Sequence, residues 1–207
     1  MSEPRKERAD AARNRRAILA ATERLLATHR ARDVSMEQVA AAAGVGKGTI
    51  FHRFGSRAGL MTALMYERAE ALSEAITGGP APLGPGGTPR ERLLAFLDAV
   101  IEMVARNKSL LAELAHTAVA EPGPAAESAG RPVYPFWHGH LSALLAAEQP
   151  HLDADLTAHL ILGSLHSDPV LARLAADGPG RVAAALRTMV EALLDAPPAS
   201  AARKHLN

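Results

Sequence analysis

The chain has 207 residues, of which 23 are Lys or Arg and 22 are Asp or Glu, and its formal net charge is +1. Hydrophobic residues make up 48%, which excludes a disordered chain. The absence of cysteine excludes a disulfide scaffold, thiol catalysis and a zinc site built on thiolates. Leu (27) far outnumbers Ile (5) and Val (10). Because unbranched side chains lose little rotamer freedom in a helix, this composition predicts an all-α protein.

The hydrophobic residues are spread along the chain. No apolar run approaches the roughly 18 residues that a membrane span needs. The first ten residues, MSEPRKERAD, lack the apolar segment of a secretory signal. We therefore expect a cytoplasmic protein with no membrane partner.

The near-zero net charge conceals an uneven distribution. Residues 1–60 contain 12 basic and 6 acidic residues, a balance of +6, whereas residues 61–207 contain 11 and 16, a balance of −5. This asymmetry is typical of an N-terminal module that binds a polyanion, although a solvated basic face gives the same numbers.

Helical periodicity fills most of the chain in about nine segments. Two segments rich in Gly and Pro, residues 78–89 and 121–132, are too costly for a helix. The expected domains are residues 12–72 and residues 73–207. The predicted helices are, in chain order, residues 13–29, 36–43, 47–51 or slightly beyond, 57–76, 90–107, 109–119, 134–148, 153–167 ending at Asp168-Pro169, a short turn at 170–176, and 179–195.

Residues 35–54, SMEQVAAAAGVGKGTIFHRF, give the strongest local signal. Ser35 and Gln38 fit a capping box that begins a helix of about two turns. Gly44 then fits the left-handed position that ends it, and Val45 fills the turn. A second short helix begins at Lys47, so the segment predicts a helix-turn-helix.

The outer face of the second helix is basic and has small side chains. It carries Lys47, Gly48, Thr49, His52 and Arg53. The major groove of B-DNA accepts one α-helix, and Gly48 has no side chain to hold the backbone away from it.

Phosphate contacts are expected from two residues near helix N-termini, Ser35 and Arg57. The basic residues Arg13, Arg15 and Arg16 are placed to touch flanking DNA.

Residues from about 12 to 72 resemble the DNA-binding domain of TetR-family (TetR/AcrR-like) transcriptional regulators. The matching strings are AILAATERLLA and SMEQVAAAAGVGKGTIFHRFGSRAGL. The resemblance implies an α-helical homodimer that binds a palindromic double-stranded DNA operator, usually as a repressor. It also implies a small-molecule effector in the C-terminal domain, with no cofactor.

The family's DNA contacts fall on eight positions of this sequence. Three positions depart from the family's motif: Phe51 replaces the usual Tyr, Gly46 replaces a Ser or Thr N-cap, and Arg53 stands where an aromatic residue or His is frequent. The DNA-binding residues that the resemblance implies are Ser35, Lys47, Gly48, Thr49, Phe51, His52, Arg53 and Arg57.

A phosphate-binding loop is a competing interpretation of GVGKGT, residues 44–49. The full P-loop pattern needs Gly at position 41 and Ser or Thr at 48, where this chain has Ala41 and Gly48. Such a loop also follows a buried strand, whereas the preceding segment is Ala-rich and predicted helical.

The histidines show no metal-site spacing. His138 and His140 are two residues apart, so a helix points them in different directions, and His159 and His166 share a face without a third ligand. No arrangement of Ser, His and Asp or of paired carboxylates stands out. We expect no metal and no catalytic site.

The C-terminal segment contains the candidate effector residues, which are mostly aromatic: Phe96, Met103, Phe136, Trp137 and His140. Taken one at a time, each of them is explained more simply by an ordinary packed core. A mostly apolar cavity with few polar groups is the usual small-molecule site, so we expect a hydrophobic or weakly polar effector near Trp137.

The last long helices carry apolar and small residues that intrachain packing alone can explain. The resemblance instead makes them a symmetric dimer interface, formed by Leu156, Leu160, Gly163, Ser164, Leu186, Met189, Val190 and Leu193. An alternative to a regulator is a helical carrier or enzyme that retains a helix-turn-helix.

Overall fold

The computed structural model describes residues 3–117 and 133–197. Over these residues the chain is all-helical, as its composition predicts, with no β-strand. One 3-10 turn, Ala31–Asp33, precedes the second helix. The helices are α1 (Glu3–Leu26), α2 (Met36–Ala43), α3 (Lys47–Phe54), α4 (Arg57–Gly78), α5 (Pro89–Thr117), α6 (Val133–Glu148), α7 (Ala154–Ser164), α8 (Asp168–Asp177) and α9 (Pro179–Leu194).

Most predicted helices are confirmed to within a few residues, but three predictions are wrong. Helix α1 begins at Glu3, ten residues before the predicted start. The two helices predicted at 90–107 and 109–119 form one helix, α5, up to Thr117. The polar run Asn107-Lys108-Ser109 contains neither Gly nor Pro, so it does not break a helix.

The third error concerns Asp168-Pro169, which was expected to interrupt a helix. The structure ends α7 earlier, at Ser164, and uses this dipeptide to begin the three-turn helix α8. Proline fits the first helical turn because its missing N–H has no partner there in any case. The predicted break at residues 121–132 lies outside the described residues.

The chain forms two compact units. The first contains the described residues 3–68 and 109–117, and the second contains residues 69–108 and 133–197. Thus α4 and α5 each contribute residues to both units, and the loop between them belongs to the second.

The first unit has a core of large apolar side chains. Ile18 of α1, Val39 of α2 and Ile50 of α3 are completely buried, and Leu110 of α5 joins them. Helix α1 packs against α2, and α2 against α3. Burying such a side chain stabilises the fold by about 1.5–3 kcal/mol, so this core fixes α3 in place.

The second unit buries Phe96, Leu141 and Val190 from three different helices. Helix α6 packs against α7, and α8 against α9. An ion pair between Arg187 and Asp98 joins α9 to α5. No described helix is both long and apolar enough to cross a membrane.

Candidate nucleic-acid interface

The start of α2 and the turn between α2 and α3 have the predicted geometry. The backbone N–H of Ser35 donates to Gln38 Oε1 at 2.7 Å, and the Gln38 N–H donates to Ser35 Oγ at 3.2 Å, which completes the capping box. Gly44 has φ +67°, and its N–H donates to the carbonyls of Ala40 and Ala41. Only glycine adopts this left-handed conformation at little cost.

The phosphate-binding-loop interpretation is wrong because its local structure is absent. Gly44 and Gly46 lie between the helices α2 and α3, Gly48 lies within α3, and the described chain has no strand before them. A P-loop requires a strand at that point.

Helix α3 separates an inner apolar face from an outer polar one. Ile50 and Phe54 are buried, whereas Lys47, Gly48 and His52 are exposed. Phe51 is 41% exposed, which is unusual for a large apolar side chain beside a core. Thr49 and Arg53, also predicted to contact DNA, are half-buried at the edges of this face.

Gly48 lies on the exposed face of α3. A Cβ atom built on it meets nothing within 4 Å, so packing inside the protein does not require glycine there. Glycine in a helix is costly relative to alanine, which leaves an approaching external surface as a physical reason for it.

Sequence analysis missed the partner of Lys47. Its ammonium forms an ion pair with Glu37 of α2, and the same Nζ lies 5.7 Å from the centre of the Phe51 ring. The bond from Lys47 holds the pKa of the Glu37 carboxyl below its ordinary value. A carboxylate therefore sits beside the cation most exposed on α3.

Arg57 is half-buried and bonded to the protein itself. Its Nε donates to the carbonyl of Val34 at 2.9 Å, and a terminal nitrogen donates to the carbonyl of Ala31. These bonds tie the start of α4 to the segment before α2. Ser35 is also half-buried, with its hydroxyl engaged in the cap.

The arginines of α1 lie in the same unit. The guanidinium of Arg15 lies 5.5 Å from the centre of the Phe54 ring, and Arg13 pairs with Asp10. Arg16 is exposed.

Three of the five predicted effector residues, Phe96, Trp137 and His140, pack together in the second unit. Phe96 is completely buried, and its ring packs edge-on against Trp137 at 6.3 Å and against His140 at 5.3 Å between centroids. The indole N–H of Trp137 donates to Ser73 Oγ at 3.0 Å. Met103 is half-buried, whereas Phe136 is 36% exposed.

Two buried nitrogen atoms near these rings lack a hydrogen bond within the described part of the chain. They are Nε of Arg92 and Nε2 of His140. Burial lowers the pKa of His140, and the positive charge of Arg92 lowers it further. Burial and the charge of Arg92 therefore both favour the neutral form of the His140 imidazole, and the two nitrogen atoms are available to bond to a ligand.

Five of the eight predicted dimer residues line a groove of about 560 Å³ between α7, α8 and α9, namely Leu160, Ser164, Leu186, Met189 and Leu193. Leu156 and Leu160 are 53% and 66% exposed, and Met189 is 46% exposed. Leu186 and Val190 are instead buried within the chain and support this face from beneath. Gly163 is exposed, and Leu193 and Ser164 are half-buried at the groove wall.

The histidines come together in a combination that the spacing did not indicate. The structure places His138 of α6 against His159 of α7, with Asp155 beside them. The expectation of no metal site rested on pairs within single helices, and this group joins two helices.

Comparison with known proteins identifies the helix-turn-helix. Residues 18–64 match the family model of the bacterial regulatory proteins of the tetR family. The match includes α2 and α3, so this part of the chain is similar to the DNA-binding domain of TetR-family regulators. A helix-turn-helix-type transcriptional regulator of Mycobacterium tuberculosis is 32% identical over 114 residues, which are 55% of this chain and 54% of that protein. The chain thus matches about half the length of this curated relative.

Solved structures of transcriptional regulators share the fold over most of the chain. A TetR-family transcriptional regulator of Rhodococcus sp. superposes with a TM-score of 0.61 at 21% identity, covering 89% of this chain and all of that one. The regulator FadR of Bacillus subtilis, in complex with stearoyl-CoA, has a TM-score of 0.58 at 17% identity, covering 86% and 97% of the two chains.

Proposed function

We propose that this protein is a transcriptional regulator, most simply a repressor, that binds a palindromic DNA operator as a homodimer and responds to a small hydrophobic effector in the cytoplasm. The observation that carries the proposal is the exposed outer face of α3, which presents Lys47, Gly48 and His52 on a helix held by a buried core. A helix presented in this way fits the major groove, where short polar and basic side chains reach base edges.

Charge supports the same interface. The ammonium of Lys47 reaches a phosphate or a guanine edge once its bond to Glu37 is exchanged for DNA. Phe51 offers its ring, without the hydroxyl of a tyrosine, to sugar or thymine methyl groups. Ser35 and Arg57 hold the starts of α2 and α4 in position. They support phosphate binding in this way, in addition to contacting phosphate directly.

The experiment is selection of bound genomic fragments by footprinting, followed by affinity measurement on the selected operator. Lys47→Ala lowers affinity for that operator at least several-fold. Arg106→Ala removes the same charge at an exposed position of α5 and leaves affinity unchanged. Equal affinity for the two variants contradicts the assignment of α3.

For the effector, we propose an amphiphile with a long apolar chain and an anionic head. The aromatic cluster of Phe96 and Trp137 suits the apolar part, and the unpaired nitrogens of Arg92 and His140 suit an anion. The stearoyl-CoA bound by FadR of Bacillus subtilis, which has the same fold, makes acyl-CoA thioesters the first class to test.

The effector experiment uses the single tryptophan. Titration with stearoyl-CoA is expected to change Trp137 fluorescence and to release operator DNA over the same concentration range, whereas coenzyme A without the acyl chain does neither. If a compound releases DNA without changing this fluorescence, the site near Trp137 is wrong. Acyl-CoA binding without any DNA binding favours the helical carrier or enzyme instead.

A further inference from the structure

Two facing strips of polar side chains lie between α6 and α7. Tyr134 and His138 are four residues apart on α6, and Asp155 and His159 are four residues apart on α7, so each pair shares one helix face. The helices pack against each other, and this packing brings the pairs together.

The geometry points to a binding site for a divalent transition-metal ion of the zinc type, formed by His138, Asp155 and His159. One donor atom from each residue lies within 4.8 Å of the other two. In a tetrahedral zinc site with metal–nitrogen bonds of about 2.0–2.1 Å, donor atoms are about 3.4 Å apart. The donors therefore need to approach one another by at most about 1.4 Å, and the same side-chain rotation turns the two stacked rings so that their in-plane lone pairs converge on the ion.

The side chain of His138 is more buried than that of Asp155. The His138 side chain is only 14% exposed, and its Nε2 lies 3.0 Å from the carbonyl of Asp155 and 3.5 Å from its carboxylate Oδ1. The Asp155 side chain is 76% exposed, so its carboxylate can turn toward an ion without losing buried contacts. Nε2 of His138 exchanges its bond to the carbonyl for the metal.

Tyr134 orients the second imidazole. Its hydroxyl lies 2.7 Å from Nδ1 of His159, which leaves Nε2 of that ring for the metal. Rings of His138 and His159 are stacked at 3.8 Å between centroids. Metal-binding histidines commonly bond through their other nitrogen to a group that fixes the ring, and Tyr134 takes that part.

The donor set defines the class of ion. Two imidazoles and one carboxylate suit Zn²⁺, Co²⁺ or Ni²⁺ better than Mg²⁺ or Ca²⁺, which prefer oxygen ligands alone. Asp155 and the neighbouring Tyr134 are exposed, so the fourth position is open to water. An ion bound there joins α6 to α7, the helix that carries the exposed Leu156 and Leu160.

The experiment is equilibrium dialysis of the full chain, without a polyhistidine tag, against Zn²⁺, with Co²⁺ absorption as a second measure. We expect one equivalent of Zn²⁺ per chain and the visible bands of Co²⁺ bound to nitrogen. His159→Ala abolishes both, whereas His166→Ala, which alters a histidine just beyond α7 bonded to the Leu162 carbonyl, changes neither.

Two further variants distinguish the loss of a metal ligand from the loss of folding. Asp155→Asn keeps the size of an exposed side chain and still loses the ion, so loss of folding cannot explain the result. Tyr134→Phe retains all three ligands and weakens Zn²⁺ binding by about 10–100-fold. Failure to bind one equivalent of Zn²⁺, or equal binding by wild type and His159→Ala, overturns the proposal while leaving DNA binding by α3 intact.

Discussion

Gly48 is not required by the packing or the backbone conformation of the free protein, so a substitution there tests for contact with DNA. Apart from its own stretch of helix, no atom of the described residues lies within 4 Å of a Cβ built there, and φ is not in the left-handed region. The protein alone therefore tolerates a methyl group, whereas a backbone pressed against the wall of a DNA groove does not.

We predict that Gly48→Ala raises the stability of the free protein and lowers its affinity for DNA. Alanine is favoured over glycine in a helix by about 0.5–1 kcal/mol, so thermal unfolding moves to a higher temperature. Operator affinity falls about tenfold or more, measured by fluorescence anisotropy. Gain of stability with unchanged affinity shows that the DNA does not approach this residue.

At the scale of the helices, the pairing of α2 with α3 sets the electrostatics of the interface. Glu37 holds the ammonium of Lys47 in the free protein, and this bond must be broken before Lys47 contacts phosphate. The carboxylate also repels the DNA backbone. We therefore expect Glu37 of α2 to lower the affinity of α3 for DNA.

Glu37→Gln is expected to strengthen operator binding about two- to fivefold, as removal of an exposed ion pair allows. Glu102→Gln makes the same change of charge at an exposed position of α5 and serves as the control. The measurement is a titration of labelled operator at fixed ionic strength. Weaker binding by Glu37→Gln shows that the carboxylate positions Lys47 for DNA instead of competing with it.

The helices were predictable where their ends carry local signals. The capping box at Ser35 and the left-handed Gly44 are both confirmed, because caps depend on neighbouring residues only. The continuous α5 was missed because Leu110 is buried in the core of the first unit, a contact distant in sequence. The polar run Asn107-Lys108-Ser109 contains no residue that ends a helix, so the predicted break there is wrong.

The candidate sites were predictable to different degrees. The outer face of α3 follows from a 3.6-residue period, so its residues were found from the sequence. The bond from Lys47 to Glu37 and the group of His138 with His159 join different helices. Spacing along one helix contains no information on such pairs, and packing of α6 on α7 supplies it.

At the scale of the whole molecule, the proposal requires two copies of the chain. A palindromic operator is bound by two recognition helices about 34–36 Å, or a multiple of that, apart. The groove beside α7 and α9 exposes Leu160 and Met189, and a single chain leaves this apolar surface in water. We propose that a second copy covers it.

Leu160→Asp is expected to convert the dimer to a monomer and to reduce operator affinity with little effect on folding, because Leu160 is 66% exposed. Ala71→Asp adds the same charge at an exposed position of α4 and leaves the dimer intact. Sedimentation equilibrium at micromolar concentration distinguishes the two. A wild-type chain that sediments as a monomer contradicts this interface.

The most direct test of the central claim, that α3 lies in a DNA groove with Lys47 at phosphate, is the dependence of operator affinity on salt concentration. We predict a linear fall of log K with log salt, with a slope that becomes smaller by about 0.9 for each Lys47 removed, or about 1.8 for a dimer. Lys47→Ala in place of wild type gives this change, while Arg106→Ala keeps the full slope. A slope that Lys47→Ala leaves unchanged, or affinity that does not depend on salt, contradicts the account.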